Sequence, residues 1–236
     1  MSQGGGPESR GGAPLSTAGA PVSLRWQHWA QAFGVIGVTV LLHEVAHAVA
    51  ARRAGGTVRE VGIGFGPPLA RRQIGGVDVT LRPIPIGGFA AIDVEQLRPA
   101  RRVPVLLAGP LANIAAGLLL RRLAHATPQT LLPGQTHRIE VGGLLAALTM
   151  LTRAAATSPR SLARTAGDIN LSVGLANLLP VLPLDGGHLA AAQLEAAGAG
   201  KSAVMAFKQI TAGFFLWLAV RVLFADLARL RRPAGP

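Results

Sequence analysis

Long apolar runs bordered by arginine constrain this chain more than any other feature. Residues 26–51, between Arg25 and Arg52, contain one charged side chain, Glu44. A helix needs about 20 apolar residues to cross a bilayer core, so this run is long enough. Trp26 and Trp29 stand at its start, where amphipathic rings suit the membrane interface. A second run, "VPVLLAGPLANIAAGLLL", lies between Arg102 and Arg121. Its Gly109, Ala112, Ala116 and Gly117 are small positions for close helix packing. A third run covers about residues 165–194, and a fourth about 203–225 with Phe214, Phe215 and Trp217. Lys208 and Arg221 lie near the ends of the fourth, where long cationic side chains can snorkel to the interface.

Apolar content alone would also suit an Ala-rich soluble helical protein. The placement of charge favours a membrane. Only 14% of residues are charged, against roughly a quarter in soluble domains. The net charge of +12 is almost all arginine, and it comes in pairs such as Arg52-Arg53, Arg71-Arg72, Arg101-Arg102, Arg121-Arg122 and Arg231-Arg232. These pairs border apolar runs instead of lining one polar face. That pattern suits anchoring at a lipid headgroup layer and argues against nucleic acid as a partner. No pattern in the residues sets an oligomeric state.

Other stretches do not fit a simple span. Residues 1–24 are rich in Gly, Pro, Ala and Ser without periodic apolar positions, the composition of a disordered tail. A basic start leading into an apolar core, as in a signal peptide, is missing. Residues 57–92 alternate Val and Ile with Gly-Gly punctuation, which predicts β-hairpins. Residues 139–157 are apolar but short and bounded by Glu140 and Arg153, which predicts an interfacial or partly buried helix. Residues 229–236 form a basic tail. The expected fold is therefore an all-α polytopic membrane protein of about four transmembrane helices, spanning residues 25–228. A membrane-associated β-hairpin region lies between the first two helices.

Within the first run stands His43-Glu44-Val45-Ala46-His47, the H-E-x-x-H pattern of zinc metalloproteases. Residues four apart on a helix share a face, so both imidazoles can reach one ion. Glu44, adjacent to the first ligand, can serve as a general base without ligating. Ionisable groups in an apolar run are expensive and call for a function. The chain has no cysteine, so any further ligand must be His, Asp or Glu.

A catalytic zinc site takes three protein ligands and leaves one position open. His28, His125 and His137 lie at run borders or in connections. Asp185, in "NLLPVLPLDGGH", is the best third ligand, with His188 a weaker alternative. Pro180, Pro183, Gly186 and Gly187 break the helix there, and irregular backbone at membrane depth is tolerated only inside protein or beside a watery cavity. If the first run enters, the second returns and the third enters again, His43, His47 and Asp185 reach similar depth. Residues 139–157 must then not cross. The 51–102 loop carries nine arginines and faces the cytoplasm under the positive-inside rule. The basic C-terminal tail, placed outside, runs against that rule.

Four segments taken together resemble the site-2 protease family of intramembrane zinc metalloproteases. They are "HEVAH" at 43–47, "PIPIGGF" at 83–89, "AGPLAN" at 108–113 and "NLLPVLPLDGG" at 177–187. The resemblance implies His43, His47 and Asp185 as zinc ligands and Glu44 as catalytic base. It implies that Asn177 lines the active site and positions substrate or polarises the scissile carbonyl. Asn113 matches the family's other intramembrane asparagine and is expected among the substrate-binding residues. Gly87, Gly88 and Phe89 belong to a segment resembling a re-entrant β-loop that contacts substrate. The implied substrate is a transmembrane, membrane-tethered regulatory protein, cut in or beside its span. The implied location is a prokaryotic cell membrane with the active site towards the cytoplasm. A PDZ domain between core helices and a nucleotide-sensing C-terminal domain, present in many relatives, do not fit this sequence. A non-catalytic metal-binding scaffold and a metal transporter are the competing classes. The first has no need of Glu44, and the second would call for more paired acidic or His residues on the spans.

Overall fold

The computed structural model describes residues 24–125 and 143–230. All but the last residue of the expected tail at 1–24, His137 and the last residues of the C-terminal tail lie outside them. Among the described residues, three helices are long and apolar enough to cross a membrane: α1 (Trp26–Arg53), α2 (Pro99–His125) and α6 (Lys201–Leu230). Between α2 and α6 lie α3 (Leu144–Thr157), α4 (Pro159–Asn177) and α5 (Asp185–Ala196). The third apolar run is therefore not one helix. Proline at 180 and 183 and the Gly186-Gly187 pair divide it after Asn177, and Asp185 opens a new helix. A Cβ on Gly186 would collide with the carbonyls of Leu178 and Leu179, and one on Gly187 would lie 2.7 Å from the Val181 carbonyl oxygen. Only glycine lets the chain fold back this tightly onto the start of α5.

Helices α2 and α4 cross at a seam of small residues. A Cβ on Gly117 would lie 2.8 Å from the Gly167 carbonyl oxygen, and one on Gly174 would lie 2.7 Å from that of Pro110. Of the small positions expected on α2, Gly117 does serve close helix contact, with Gly167 and Gly174 as partners on α4. Arg121 and Asp168 pair at 2.6 Å beside this seam. Val in place of Gly174 should overpack the crossing and cost about 1–3 kcal/mol. The expected readout is a lower thermal unfolding midpoint in detergent; an unchanged midpoint would contradict the close crossing.

Helix α3 packs on α1 and α4 through a cluster that includes Ala32, Ile36, Leu148, Leu151 and Ala166. Ser158 alone separates it from α4 and caps α4 by accepting the Ser161 amide at 3.1 Å. At the other end of α3, the Gly143 amide donates to Asp226 on α6 at 3.1 Å. Near its start, α6 is tied to α5 by Lys208 and Glu195. Asp226 is about 27 Å further along that helix at 1.5 Å per residue. The N-terminal end of α3 thus sits away from the α5 end of α6.

The β region is larger than the expected hairpins. Strands β1 (Val58–Phe65), β2 (Ala70–Ile74), β3 (Val77–Leu81) and β4 (Ile84–Ile92) form one mixed sheet in the order β2-β3-β1-β4. Only β2 and β3 make a tight hairpin. Gly75 and Gly76 both have positive φ there, as the commonest two-residue turn requires. β1 pairs with β3 in parallel and with β4 antiparallel. Alternation predicts strands well, but it does not say which strands pair. Val58, Val61 and Val77 of the sheet pack with Ala48 and Ala51 of α1 and Val105 of α2. The sheet therefore sits at the C-terminal end of α1, next to the histidine motif. On its outer part, Glu60 accepts from Thr80 at 2.6 Å and from Arg82 at 2.7 Å, and these two bonds hold the Glu60 carboxyl below its usual range. The Arg82 guanidinium lies over the Phe89 ring, 4.9 Å from its centre.

Candidate metal centre

His43 and His47 are one helical turn apart on α1 and both are buried. Their Nε2 atoms are 3.1 Å apart. Asp185 Oδ2, from the first residue of α5, lies 3.0 Å from His43 Nε2 and 3.2 Å from His47 Nε2. These residues are the ones among those described that could hold a metal ion. Three ligand atoms at about 2.0–2.1 Å from a tetrahedral ion stand about 3.3 Å from one another. The observed triangle is close to that size.

The chemistry of the donor set agrees. His47 Nδ1 lies 2.7 Å from the Val105 carbonyl oxygen, which can only accept, so a proton sits on Nδ1 and, in the neutral ring, the Nε2 lone pair faces inward. That lone pair points at another ring nitrogen and at a carboxylate oxygen. Such a convergence of acceptors calls for a proton or a metal cation between them. The carbonyl of Val105 fixes this tautomer as a metal-ligating histidine requires. On the α2 side, a Cβ on Gly109 would collide with His47 Nε2 and lie 2.7 Å from His43 Nε2. Gly109, expected to serve helix packing, instead provides the space against which both imidazoles sit.

A cavity of about 350 Å³ opens beside the triangle. Glu44, half-buried, lies on its wall with His43, His47, Asp185, Asn177 and His188. Opposite them stand Gly88, Ala90 and Ile92 of β4. These alternate residues share one side of the strand. β4 is the end strand of the sheet, and its residues Gly88 and Ala90 line the same cavity as Glu44. Gly88 is against α1 as well: a Cβ there would lie 3.2 Å from Glu44 Cγ and collide with Val40.

The other expected site residues fall in different places. Asn177 ends α4, lines the cavity and donates to the Val173 carbonyl at 2.9 Å. His188 lines the cavity without joining the triangle, and Asp185 takes the third place. Gly87 faces Phe65, and Phe89 packs over Gly62 and under Arg82. Of the three residues 87–89, Gly88 is the one at the cavity. Asn113 is fully buried and bonds His43 Nδ1 at 3.2 Å, behind the ring and away from the cavity wall. Val105 and Gly109 were not singled out as site residues from the sequence. A carbonyl that accepts from a ligand and a glycine that clears space leave no local signature.

Residues 31–220 match the family model described as peptidase family M50. The chain belongs to peptidase family M50. The resemblance of the four segments to the site-2 proteases is borne out. Among the relatives of this M50 chain, zinc metalloprotease Rip1 of Mycobacterium tuberculosis is 37% identical over 99 residues, 35% of this chain and 24% of Rip1. A relative in Neisseria meningitidis serogroup A is 29% identical over 177 residues, 69% of this chain and 38% of that protein. The chain thus spans well under two thirds of these relatives. The solved site-2 protease of Methanocaldococcus jannaschii shares 22% identity and a TM-score of 0.48, over 86% of this chain and 70% of that one.

Proposed function

We propose that this M50 chain is an intramembrane zinc metalloendopeptidase of site-2 type. Its substrate is a membrane-tethered regulatory protein, hydrolysed at a peptide bond in or beside a transmembrane segment. The observation that carries this reading is the His43–His47–Asp185 triangle with Glu44 and a free strand edge around one cavity. Two imidazoles and a carboxylate suit zinc, and the zinc metalloprotease Rip1 is a relative. When bound, zinc supplies Lewis acidity that acidifies water and polarises a carbonyl.

The chain's own groups do the rest. Glu44 takes a proton from the attacking water as the oxygen bonds the scissile carbonyl carbon. It then gives that proton to the departing nitrogen as the C–N bond breaks. Asn177 has a second amide hydrogen beyond the one given to Val173, and this orients the substrate carbonyl. A transmembrane helix hides its carbonyls in internal hydrogen bonds, so it must unwind before attack. The edge of β4 at Gly88–Ile92 takes the unwound segment by strand addition, holding it against Glu44.

For topology, α4 makes the fourth crossing. Its 19 residues measure about 28 Å, close to the bilayer core. Asp168, at its midpoint, is paired with Arg121 of α2, which offsets the charge it carries there. The arginine-rich 51–102 segment supports a site facing the cytoplasm of a prokaryotic cell membrane under the positive-inside rule. Residues 25–228 form the catalytic unit, embedded in lipid, with no role for nucleic acid.

Chelation tests the metal requirement. Cleavage of a tethered model substrate in detergent or liposomes should stop when zinc is stripped and return with one equivalent of zinc. Unchanged cleavage by metal-free protein would contradict the proposal.

A further inference from the structure

We infer that Asn113 is a positioning residue for His43: its side-chain oxygen accepts the Nδ1 proton and so turns the His43 Nε2 lone pair towards the metal. This rests on the metal reading above and assigns Asn113 to the ligand shell's support instead of to substrate. Asn113 is fully buried on α2, and its side chain has His43 Nδ1 as its one hydrogen-bond partner among the described residues. The contact, at 3.2 Å, is made by the amide nitrogen as placed, while Oδ1 is buried without a partner.

Amide nitrogen and oxygen are exchanged by a half-turn, and the network decides between them. Turning this amide only changes which of its atoms lacks a partner, so satisfaction of Asn113 does not choose. The imidazole does. His43 Nε2 stands 3.0 Å from Asp185 Oδ2 and 3.1 Å from His47 Nε2. To ligate there it must carry a lone pair, which puts the ring proton on Nδ1. A protonated Nδ1 needs an acceptor, and Asn113 supplies it through Oδ1. The two histidines are then held alike: His47 through the Val105 carbonyl and His43 through Asn113, both from α2. Helix α2 thereby orients both imidazoles while Gly109, between Val105 and Asn113, leaves them room.

The test measures zinc affinity by chelator competition in the full-length chain carrying Glu44→Gln, without any substrate. Asn113→Leu keeps the size and removes the acceptor, and should weaken zinc binding by about 10–100-fold. Asn113→Asp offers only acceptors and should restore affinity to within a few-fold of the parent. The visible spectrum of the cobalt-substituted protein should shift in the leucine variant and return in the aspartate variant. Parent-like affinity in the leucine variant would overturn the inference and leave Asn113 to substrate. Aspartate binding as weakly as leucine would also overturn it, because the amide would then act as a donor. If the leucine variant fails to fold, the aspartate comparison alone still decides. A parent that binds no zinc would refute the metal centre itself, a distinct outcome.

Discussion

Glu44→Gln is expected to lower cleavage by roughly 10²–10⁴-fold, the usual contribution of a positioned general base, while zinc remains bound. The glutamine keeps the size of the side chain and its place on the cavity wall, but it cannot take a proton. Because Glu44 stands outside the triangle of ligand atoms, the metal should be indifferent to the change. Gly88 and Ala90 line the cavity with this side chain, and a glutamine of equal size should leave the strand in place. The paired measurement is single-turnover cleavage of a tethered substrate alongside zinc content. A variant that keeps zinc and still cleaves at the parent rate would remove Glu44 as the base. A parent chain that holds zinc but cleaves no tethered substrate would instead leave the scaffold and transporter classes standing, since neither needs the carboxylate.

Gly109→Ala should be nearly as damaging, although it adds one methyl group to a helix that alanine favours. That methyl would collide with His47 Nε2 and stand 2.7 Å from His43 Nε2 and 2.8 Å from His43 Cδ2. Neither ring can easily retreat, because His47 is tied to Val105 at 2.7 Å and both rings rise from one rigid turn of α1. Either α2 moves off or the imidazoles rotate out of register with Asp185. Displacements of about 1 Å at a reacting centre cost about 10²-fold, and a comparable or larger loss of cleavage is expected, with weaker zinc binding. Gly213→Ala on α6 is the control: nothing lies within 4 Å of the added carbon, so zinc content and cleavage should be unchanged. Parent-like zinc affinity in Gly109→Ala would contradict the close approach of α2 to the metal centre.

Much of the fold could be read from the arginine-bordered apolar runs. α1 and α2 coincide with the first two, and α6 contains the fourth, because length and hydropathy alone qualify a helix to cross. The third run was harder. Its prolines and glycines announce a break, yet α4 carries Arg160 and Arg164 in its first half and Asp168 at its midpoint, and is not distinguished by hydropathy. What holds it is the glycine seam with α2, a three-dimensional match between Gly117, Gly167 and Gly174. The mixed sheet is legible as strands but not as an order, since parallel pairing of β1 with β3 requires the chain to pass through β2 on the far side of β3. At the site, His43, Glu44 and His47 are set by helical spacing, whereas the approach of Asp185 depends on packing across some 140 residues. The carbonyl of Val105, the space at Gly109 and the burial of Asn113 behind His43 emerge only once α2 is laid against α1.

The central claim is that His43, His47 and Asp185 together hold one zinc ion. Zinc-edge X-ray absorption on the purified chain, with and without Asp185→Ala, measures it most directly. The account predicts about one zinc per chain with two imidazole nitrogens at about 2.0–2.1 Å and a carboxylate oxygen at about 2.0–2.2 Å. The oxygen contribution should fall and affinity weaken in the alanine variant. Absence of stoichiometric zinc, or a spectrum and affinity that do not change when Asp185 is removed, would contradict it.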